Sequence, residues 1–344
     1  MDKHAVSAIF AKACELGASD VHVTVGCPIL FRINGELVAE TKQNVTSEQA
    51  GEFAKAVLGD GGFARFQKER ELDASFDLEG GFRLRVNCSV QRGNATIAAR
   101  VIPKNIPSLQ SLNLTDLAAK FTGDRQGLVL FTGPTGAGKS TSLAAIIHSM
   151  LQESAVNVIT LEDPIEFLFD HGKGVCRQRQ YGEDFLSFPE ALKHVLRQDP
   201  DVVMVGEMRD PETIASALTL AETGHLIFAT LHTPNATQTI DRIIDVFPPH
   251  QQGQVRSQLS MSLKAVVAQR LVPSTVGGRV ALREVLVSTP AVAHIIRDNR
   301  TAELVSVLQT NESLGMCTFE KAAERLYKEG VITKEVYELI GEQN

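Results

Sequence analysis

The chain has 344 residues, of which 43% are hydrophobic and 22% are charged, as in ordinary globular proteins. This composition excludes a mostly disordered chain, and at about 150 residues per domain the length indicates two or three domains. A formal net charge of −7, no Trp and only three Tyr argue against a nucleic-acid-binding protein, because such proteins need basic or base-stacking surfaces.

Five scattered cysteines, none of them in a C-x-x-C pair, argue against a disulfide framework and against a tetracysteine zinc site. They fit a protein of the reducing cytoplasm. The chain contains no apolar run near the ~18 residues that a membrane-spanning helix needs. Its N-terminal apolar stretch is interrupted by Lys12 and Glu15, which indicates one face of a helix and not a signal peptide. We therefore expect a cytoplasmic protein without direct membrane insertion.

Residues 1–103 predict a small α+β domain with an antiparallel sheet. The dipeptides Asn34-Gly35 and Gly80-Gly81 are typical of hairpin turns. Helices are predicted from apolar spacing at 3–17 and about 47–58. Strands are predicted from alternating or β-branched runs at 21–25, 29–33, 74–78, 82–90 and 96–101.

Pro103 and Pro107 bracket a linker, predicted over 104–115, and a second domain is expected over 116–344. Continuous apolar strands alternate with helices there, which predicts a parallel sheet buried on both faces. The strands are expected at 127–131, 156–161, 201–205 and 225–231. The helices are expected at 140–151, 187–196 and 211–222, with a mainly helical tail from about 250.

The sequence GPTGAGKS at 133–140 matches the P-loop pattern G-x-x-x-x-G-K-[ST] in full, and it lies between a predicted strand and a predicted helix. A chance match would occur in about one chain in a hundred of this length, and the strand and helix make chance less frequent still. Lys139 is expected to contact the β- and γ-phosphates of ATP, and Ser140 to bind Mg²⁺. The predicted nucleotide-binding residues are Gly133, Pro134, Thr135, Gly136, Ala137, Gly138, Lys139, Ser140 and Thr141.

Carboxylates end two further predicted strands. Glu207 follows an apolar strand, where the partner of a metal-bound water belongs, although such an acid can also cap the next helix. The segment LEDPIE at 161–166 contains Glu162 and Glu166, and either one could orient or deprotonate the attacking water. The alternative is a solvated acidic turn.

His225 and His232 flank the strand 226–231 and lie roughly 23 Å apart along it, so they cannot share one metal ion. Each is either structural or able to sense phosphate or bridge subunits. In the first domain, Arg83 and Arg85 share one face of a strand, and Arg92 and Arg100 lie elsewhere in the same predicted sheet. These arginines indicate either a solvated sheet face or a basic face turned onto nucleotide phosphates.

Together these residues resemble the secretion ATPases of the RecA-like P-loop superfamily, and within them the type IV pilus retraction ATPases. The resemblance extends from GASDVH at 17–22 to SLGM at 313–316 and includes TIDRIIDVFP at 239–248. The segments that carry it are the P-loop, an aspartate box, a Walker B-like segment and a histidine box, at 133–140, 161–166, 205–210 and 223–233.

Two features bear on the subtype. Assembly and export relatives usually carry a tetracysteine element after the histidine box, but no cysteine precedes Cys317 there, which favours retraction. The retraction family usually has AIRNLI where this chain has AVAHII at 291–296, so the apolar positions are kept and the Arg and Asn are not. The alternatives are a pilus assembly or type II secretion export ATPase, a nucleotide-regulated binding module, and a nucleic-acid motor.

The resemblance implies a PAS-like α+β domain before a RecA-like α/β ATPase core, in a cytoplasmic homo-hexamer at the pilus base. It implies Mg²⁺-dependent ATP hydrolysis that moves the domains, with an inner-membrane platform protein as partner. Matched by position, Glu166 is the catalytic glutamate, with Glu162 a second candidate, and Glu207 is the Walker B carboxylate that joins Ser140 at the metal. The resemblance also implies that Arg85, Arg100 and His232 are catalytic and that His225 binds the nucleotide.

Overall fold

The computed structural model describes residues 3–33, 35–78, 82–102 and 105–342. Contacts between Cα atoms divide the chain into two compact units, Met1–Asn105 and Ile106–Asn344. Residues 106–114, part of the linker predicted over 104–115, fall in the second unit in this division, and Leu114 is fully buried. The predictions for Asn34, Gly80, Gly81 and Pro103 concern positions outside the described residues.

The first unit is an antiparallel sheet with the order β3-β2-β1-β6-β5-β4 and two helices. Its strands are β1 (Asp20–Val23), β2 (Leu30–Ile33), β3 (Glu36–Ala39), β4 (Glu71–Leu78), β5 (Phe82–Gln91) and β6 (Asn94–Ile102). Its helices are α1 (Lys3–Glu15) and α2 (Ser47–Glu69). A reciprocal capping box between Thr46 and Gln49 begins α2. The helix was predicted to end near 58, and it kinks at Gly59 (φ 67°) and continues.

The two faces of this sheet differ in character. The aromatic ring of Phe10 in α1 packs edge-on against Phe53 in α2, with ring centroids 5.5 Å apart. Leu84 and Val86 of β5 are fully buried in the same core, whereas Arg85 between them is exposed. Since side chains alternate along a strand, the arginines of β5 lie on the polar face, away from the helices.

The second unit contains a sheet with the order β13-β12-β7-β11-β10-β8-β9, in which only the β12–β13 pair among the described strands is antiparallel. Its strands are β7 (Gly127–Thr132), β8 (Asn157–Glu162), β9 (Val175–Gln180), β10 (Val202–Val205), β11 (Leu226–Leu231), β12 (Leu263–Pro273) and β13 (Arg279–Val287). Every residue of β7, β10 and β11 is buried, as expected for a sheet covered on both faces.

Helices cover this sheet and follow it to the end of the chain. They are α3 (Thr115–Thr122), α4 (Lys139–Glu153), α5 (Phe188–Val195), α6 (Pro211–Glu222), α7 (Ala236–Asp245), α8 (Pro249–Ser262), α9 (Pro290–Arg297), α10 (Leu304–Thr310), α11 (Phe319–Lys328) and α12 (Lys334–Glu342). Among the residues that the structure describes, no helix is both long and apolar enough to cross a membrane.

The prediction of a mainly helical tail from about 250 is wrong for β12 and β13. Residues 265–268 of β12 are fully buried, and such a run of buried apolar residues cannot be distinguished from a buried helix by its periodicity. The strand is stabilised by pairing with β7, far away in sequence. Strand β9 was not predicted either, since its sequence VCRQRQ has no apolar alternation.

Candidate active site

The segment 133–138 forms a turn between the buried strand β7 and helix α4. Gly138, with φ 82°, precedes the first helical residue, Lys139. Gly133 has φ 139°, and a Cβ atom there would lie 2.2 Å from the backbone oxygen of Gln269. Only glycine tolerates both this left-handed backbone and so close an approach. The loop therefore places backbone N–H groups and the N-terminus of α4 where they can bind an anion.

Lys139 supplies a cation to this loop. Its side chain is 7% exposed, and Nζ donates hydrogen bonds to the backbone oxygens of Gly133 (2.7 Å) and Pro134 (3.1 Å). Burial lowers the pKa of Lys139, and the nearby carboxylates of Glu207 and Glu166 partly offset that shift. A buried ammonium group bonded to neutral carbonyls complements a phosphate, so Lys139 fits the predicted role.

The other predicted residues of this loop lie around Lys139. Pro134, Thr135 and Gly136 form the exposed tip of the turn, and Ala137 is buried beneath it. Ser140 and Thr141 are half-buried in the first turn of α4. The hydroxyl of Ser140 is thus next in the chain to the lysine, on the helical side of the turn.

Parallel strands bring the other predicted groups to the same end of the sheet, where the strands have their carboxyl ends. Thr132, which precedes the P-loop, pairs with Leu231, which precedes His232. Strands β8, β10 and β11 are parallel neighbours, so their carboxyl ends lie side by side. Glu162 is the last residue of β8, and Glu207 follows β10, so both lie at these ends. The carboxyl ends of parallel strands are where ligands bind in open α/β sheets.

Two neighbouring side chains, Arg209 and His232, contact the carboxylate of Glu207. Arg209 Nη2 lies 2.7 Å from Glu207 Oε2, and His232 Nε2 lies 3.2 Å from Oε1. Burial by itself would raise the pKa of Glu207, but the hydrogen bond from Arg209 and the charge of His232 outweigh burial and lower it. Arg209 also lies 3.5 Å from Asp163, so it joins the aspartate box to the Walker B-like segment. Arg209 had no predicted role, although it lies within a segment that carries the resemblance.

Glu162 and Glu166, the two candidates for activating water, lie in different environments. Glu162 is 6% exposed, and its Oε1 accepts hydrogen bonds from Thr160 Oγ1 (2.6 Å) and Gln178 Nε2 (3.1 Å). Burial raises the pKa of Glu162 to about 7. Glu166 is exposed, and its charge acts on Lys139. Of the two carboxylates, Glu166 is therefore the one accessible to water, while Glu162 is bound within the protein.

The pKa of Glu162 should make stability depend on pH. The folded protein holds this proton more tightly than the unfolded chain, where the ordinary pKa is 4.5, so stability is greatest below that value and falls as pH rises to about 7. Between about pH 4.5 and 7.5 we expect the parent's free energy of unfolding to fall by about 3 kcal/mol relative to that of Glu162→Gln.

Urea denaturation of both proteins across this pH range measures the difference. The matched control is Glu183→Gln, a substitution of an exposed glutamate that should follow the parent at every pH. Parallel curves for the parent and Glu162→Gln would contradict the raised pKa.

His225 lies at the opposite end of the sheet, where the parallel strands have their amino ends. It precedes β11, whose first residue, Leu226, pairs with Gly127 at the start of β7. Its Nδ1 lies 3.2 Å from the backbone oxygen of Leu220 and 3.3 Å from Thr223 Oγ1. Within one copy of the chain, the structure therefore does not bring His225 to the P-loop, because six residues of extended strand separate it from His232.

Arg85 and Arg100 are neighbours on the polar face of the first unit. They lie directly opposite each other on β5 and β6, and Asp20 on β1 lies opposite Arg100 on its other side. Arg100 Nε donates to Asp20 Oδ1 at 3.1 Å, although 70% of the Arg100 side chain is exposed. Both arginines therefore lie on a solvated face. This position is compatible with a purely solvent-facing surface and with a basic face that contacts nucleotide phosphates.

The described residues include no group of three or more His, Cys, Asp or Glu side chains that could hold a metal ion. P-loop enzymes do not need one, since their Mg²⁺ is bound by one or two protein oxygens together with the substrate phosphates. The hydroxyl of Ser140 and the ionised carboxylate of Glu207 are oxygen ligands of that kind, so the donor set fits magnesium.

A protein-family model described as "Type II/IV secretion system protein" matches residues 3–338. The chain belongs to this family. The type IV pilus retraction ATPase PilT of Pseudomonas aeruginosa is 40% identical over 96% of both chains. A twitching motility protein of Neisseria gonorrhoeae is 43% identical over 90% of this chain and 83% of its own. A crystal structure of the pilus retraction motor PilT with bound ADP aligns with a TM-score of 0.90 at 41% identity, over 97% of this chain and 96% of that one.

Membership of the type II/IV secretion family confirms the resemblance and the predicted two-domain α/β fold. It also confirms that the chain is a nucleotide-using ATPase. In this ATPase, the structure brings the P-loop, Glu207 and His232 together at the carboxyl ends of the parallel strands.

Proposed function

We propose that this secretion-family ATPase is the motor that retracts type IV pili. It would convert Mg²⁺-dependent ATP hydrolysis into movement of one domain against the other within a homo-hexameric ring. The observation that supports the proposal is similarity, over nearly the full length of both chains, to an ATPase named for pilus retraction. The ring would work in the cytoplasm at the pilus base, peripheral to the inner membrane, with an inner-membrane platform protein as its partner.

The side chains of the site divide the work of hydrolysis. Lys139 and the N–H groups of the P-loop hold the phosphates and offset charge on the transferred group. Glu166 accepts a proton from the attacking water. Glu207, whose carboxylate contacts Arg209 and His232, lies at the same carboxyl ends of the strands as the P-loop. Bound Mg²⁺ would neutralise phosphate charge, with Ser140 and Glu207 as its protein ligands.

We propose that Arg85 and Arg100 complete the site by contacting the nucleotide phosphates. Hydrolysis removes the γ-phosphate, so the arginines lose part of what stabilises the closed arrangement, and movement follows. Arg85→Ala and Arg100→Ala should each lower kcat while both units stay folded. Arginine fingers contribute about 10³–10⁵ in rate, and we expect a loss nearer 10³ or below because two arginines share the charge.

Steady-state phosphate release, with circular dichroism as the folding check, measures this effect. Arg65→Ala is the matched control, because Arg65 is an exposed residue of α2, pairs with Glu69 on the same helix and belongs to no predicted site. A solvated sheet face predicts at most a few-fold loss for Arg85→Ala and Arg100→Ala, and that result would remove both arginines from the site.

The ring should make each site depend on its neighbours. If His225, which lies away from the P-loop of its own chain, serves an adjacent copy, then separated subunits have incomplete sites. Mixing excess Glu166→Gln with the parent should lower activity more steeply than the fraction of parent subunits. Strict proportionality, together with a monomer mass by light scattering, would refute the ring and leave ATP binding untouched.

Retraction itself is tested in a strain that lacks the gene. We expect that strain to display surface pili but not to twitch, and the parent gene, but not Lys139→Ala, to restore movement. A strain without surface pili would instead support the alternative function, an assembly or export ATPase.

A further inference from the structure

Strand β12 runs past the end of β7 and continues beside the P-loop. Ala268 pairs with Thr132, the last residue of β7, so the next residue, Gln269, lies level with Gly133. The close approach of Gly133 to the backbone oxygen of Gln269 places the two backbones in contact. Gln269 is 1% exposed, so its polar side chain must find partners inside the protein.

The amide of Gln269 has three such partners. Its Nε2 donates to the backbone oxygen of Ala137, within the P-loop, at 2.6 Å. Its Oε1 accepts from Ser142 Oγ in α4 and from Arg283 Nε in β13, each at 2.9 Å. Because an amide has one donating and one accepting end, these bonds leave it a single orientation. The P-loop and Arg283 are therefore joined through one rigid group.

Arg283 extends this connection to another part of the chain. It lies directly opposite Gln269 in the β12–β13 pairing. Its Nη1 donates to the backbone oxygens of Leu112 (2.9 Å) and Asn113 (3.4 Å), which precede α3. Burial, and then the charge of Arg325, lowers the pKa of Arg283 to about 10. Arg283 is half-buried, and its partners in both segments are neutral oxygens. Removing a guanidinium from water is costly unless it is hydrogen-bonded, so these bonds determine where Arg283 lies.

We propose that Ala137, Gln269, Arg283 and Leu112 form a relay that transmits the nucleotide state of the P-loop to residues 106–114, the segment that begins the second unit. The proposal deepens the proposed function and rests on ATP turnover at Lys139. When phosphates draw the P-loop backbone toward them, the oxygen of Ala137 shifts against Gln269. The buried amide cannot turn without leaving a partner unsatisfied, so the shift passes to Arg283 and to the carbonyls it holds. Arg283 is a positioning residue in this relay.

Amide hydrogen exchange of residues 106–114 in the full-length protein tests the relay. The parent should exchange differently in ADP than in a non-hydrolysable ATP analogue. Arg283→Lys keeps the charge but loses the fork that bonds two segments at once. It should abolish the difference at 106–114 and lower kcat about tenfold, with KM for ATP within about twofold of the parent. A purely structural role would change exchange equally in both nucleotide states.

Two further variants sharpen the result. Arg279→Lys makes the same change four residues earlier on the same face of β13, where the side chain is exposed, and should behave as the parent. Gln269→Glu keeps the oxygen that accepts from Arg283 and Ser142. It replaces the Nε2 that donates to the backbone oxygen of Ala137 with a second oxygen, so that hydrogen bond is lost. It should also abolish the difference, and it carries the test if Arg283→Lys does not fold.

Specific outcomes overturn the relay. Exchange at 106–114 that is the same in both nucleotide states of the parent would do so. An unchanged difference in whichever of Arg283→Lys and Gln269→Glu folds would do so as well. A parent that hydrolyses ATP but does not retract pili would contradict the proposed function and leave the relay standing. A parent that hydrolyses no ATP would contradict both.

Discussion

Replacing Lys139 with alanine should abolish ATP turnover and weaken nucleotide binding. The ammonium is 7% exposed and donates to two P-loop carbonyls, so it is already fixed where the β- and γ-phosphates bind. Loss of one such preorganised charge lowers kcat by about 10²–10³. We expect a loss of kcat at or above the upper end of this range, because the loop contains no second lysine that could replace Lys139. Phosphate release and equilibrium binding of a fluorescent ATP analogue measure the two effects.

Lys173→Ala is the matched control for this substitution. Lys173 is exposed and donates to the backbone oxygen of Glu153, at the far end of α4 from the P-loop. It should hydrolyse ATP as the parent does. Turnover at the parent rate in Lys139→Ala would show that the P-loop is wrongly assigned, whatever the control does.

Glu166→Gln should bind ATP as the parent does and fail to hydrolyse it. The amide keeps the shape of the side chain but cannot accept a proton from water, a step that contributes about 10²–10⁴ in rate. Glu166 is exposed, so water can reach its carboxylate, and its charge opposes the fall in the pKa of Lys139. Single-turnover hydrolysis separates this loss from any change in binding.

Glu162→Gln is the paired control, since it makes the same change in the same segment. The bonds to Glu162 from Thr160 and Gln178 indicate that it holds the segment in place, so a smaller loss is expected there. If Glu162→Gln is inactive and Glu166→Gln is active, the two roles are reversed.

The P-loop could be predicted from sequence because its chemistry is local. Closely spaced glycines, a lysine and the start of a helix determine it, and strands with continuous apolar runs predict the sheet around it. Glu207 and His232 could also be placed, since each follows a strand whose direction is set by parallel packing. The same argument separates His225 from the P-loop, because it precedes its strand.

The rest depends on contacts between distant segments. The resemblance ranked Glu166 above Glu162, but the residue pattern alone could not, since Gln178, which binds Glu162, lies on β9, a strand that was not predicted. Gln269 and Arg283 become partners only through the pairing of β12 with β13, where a helical tail was expected. Nothing in the local sequence around either residue indicates that the two side chains bond to each other.

The two outer strands of the second sheet leave its edges differently protected against aggregation. At one edge, Val285 of β13 exchanges backbone hydrogen bonds with Cys317, so another part of the chain already occupies that strand's outer side there. At the other edge, β9 carries Arg177 and Arg179, of which Arg177 is exposed. A second copy pairing along β9 would bring like charges together, which opposes open-ended growth by strand addition. Copies of this chain can thus associate through other surfaces without risking sheet-to-sheet fibres at this edge.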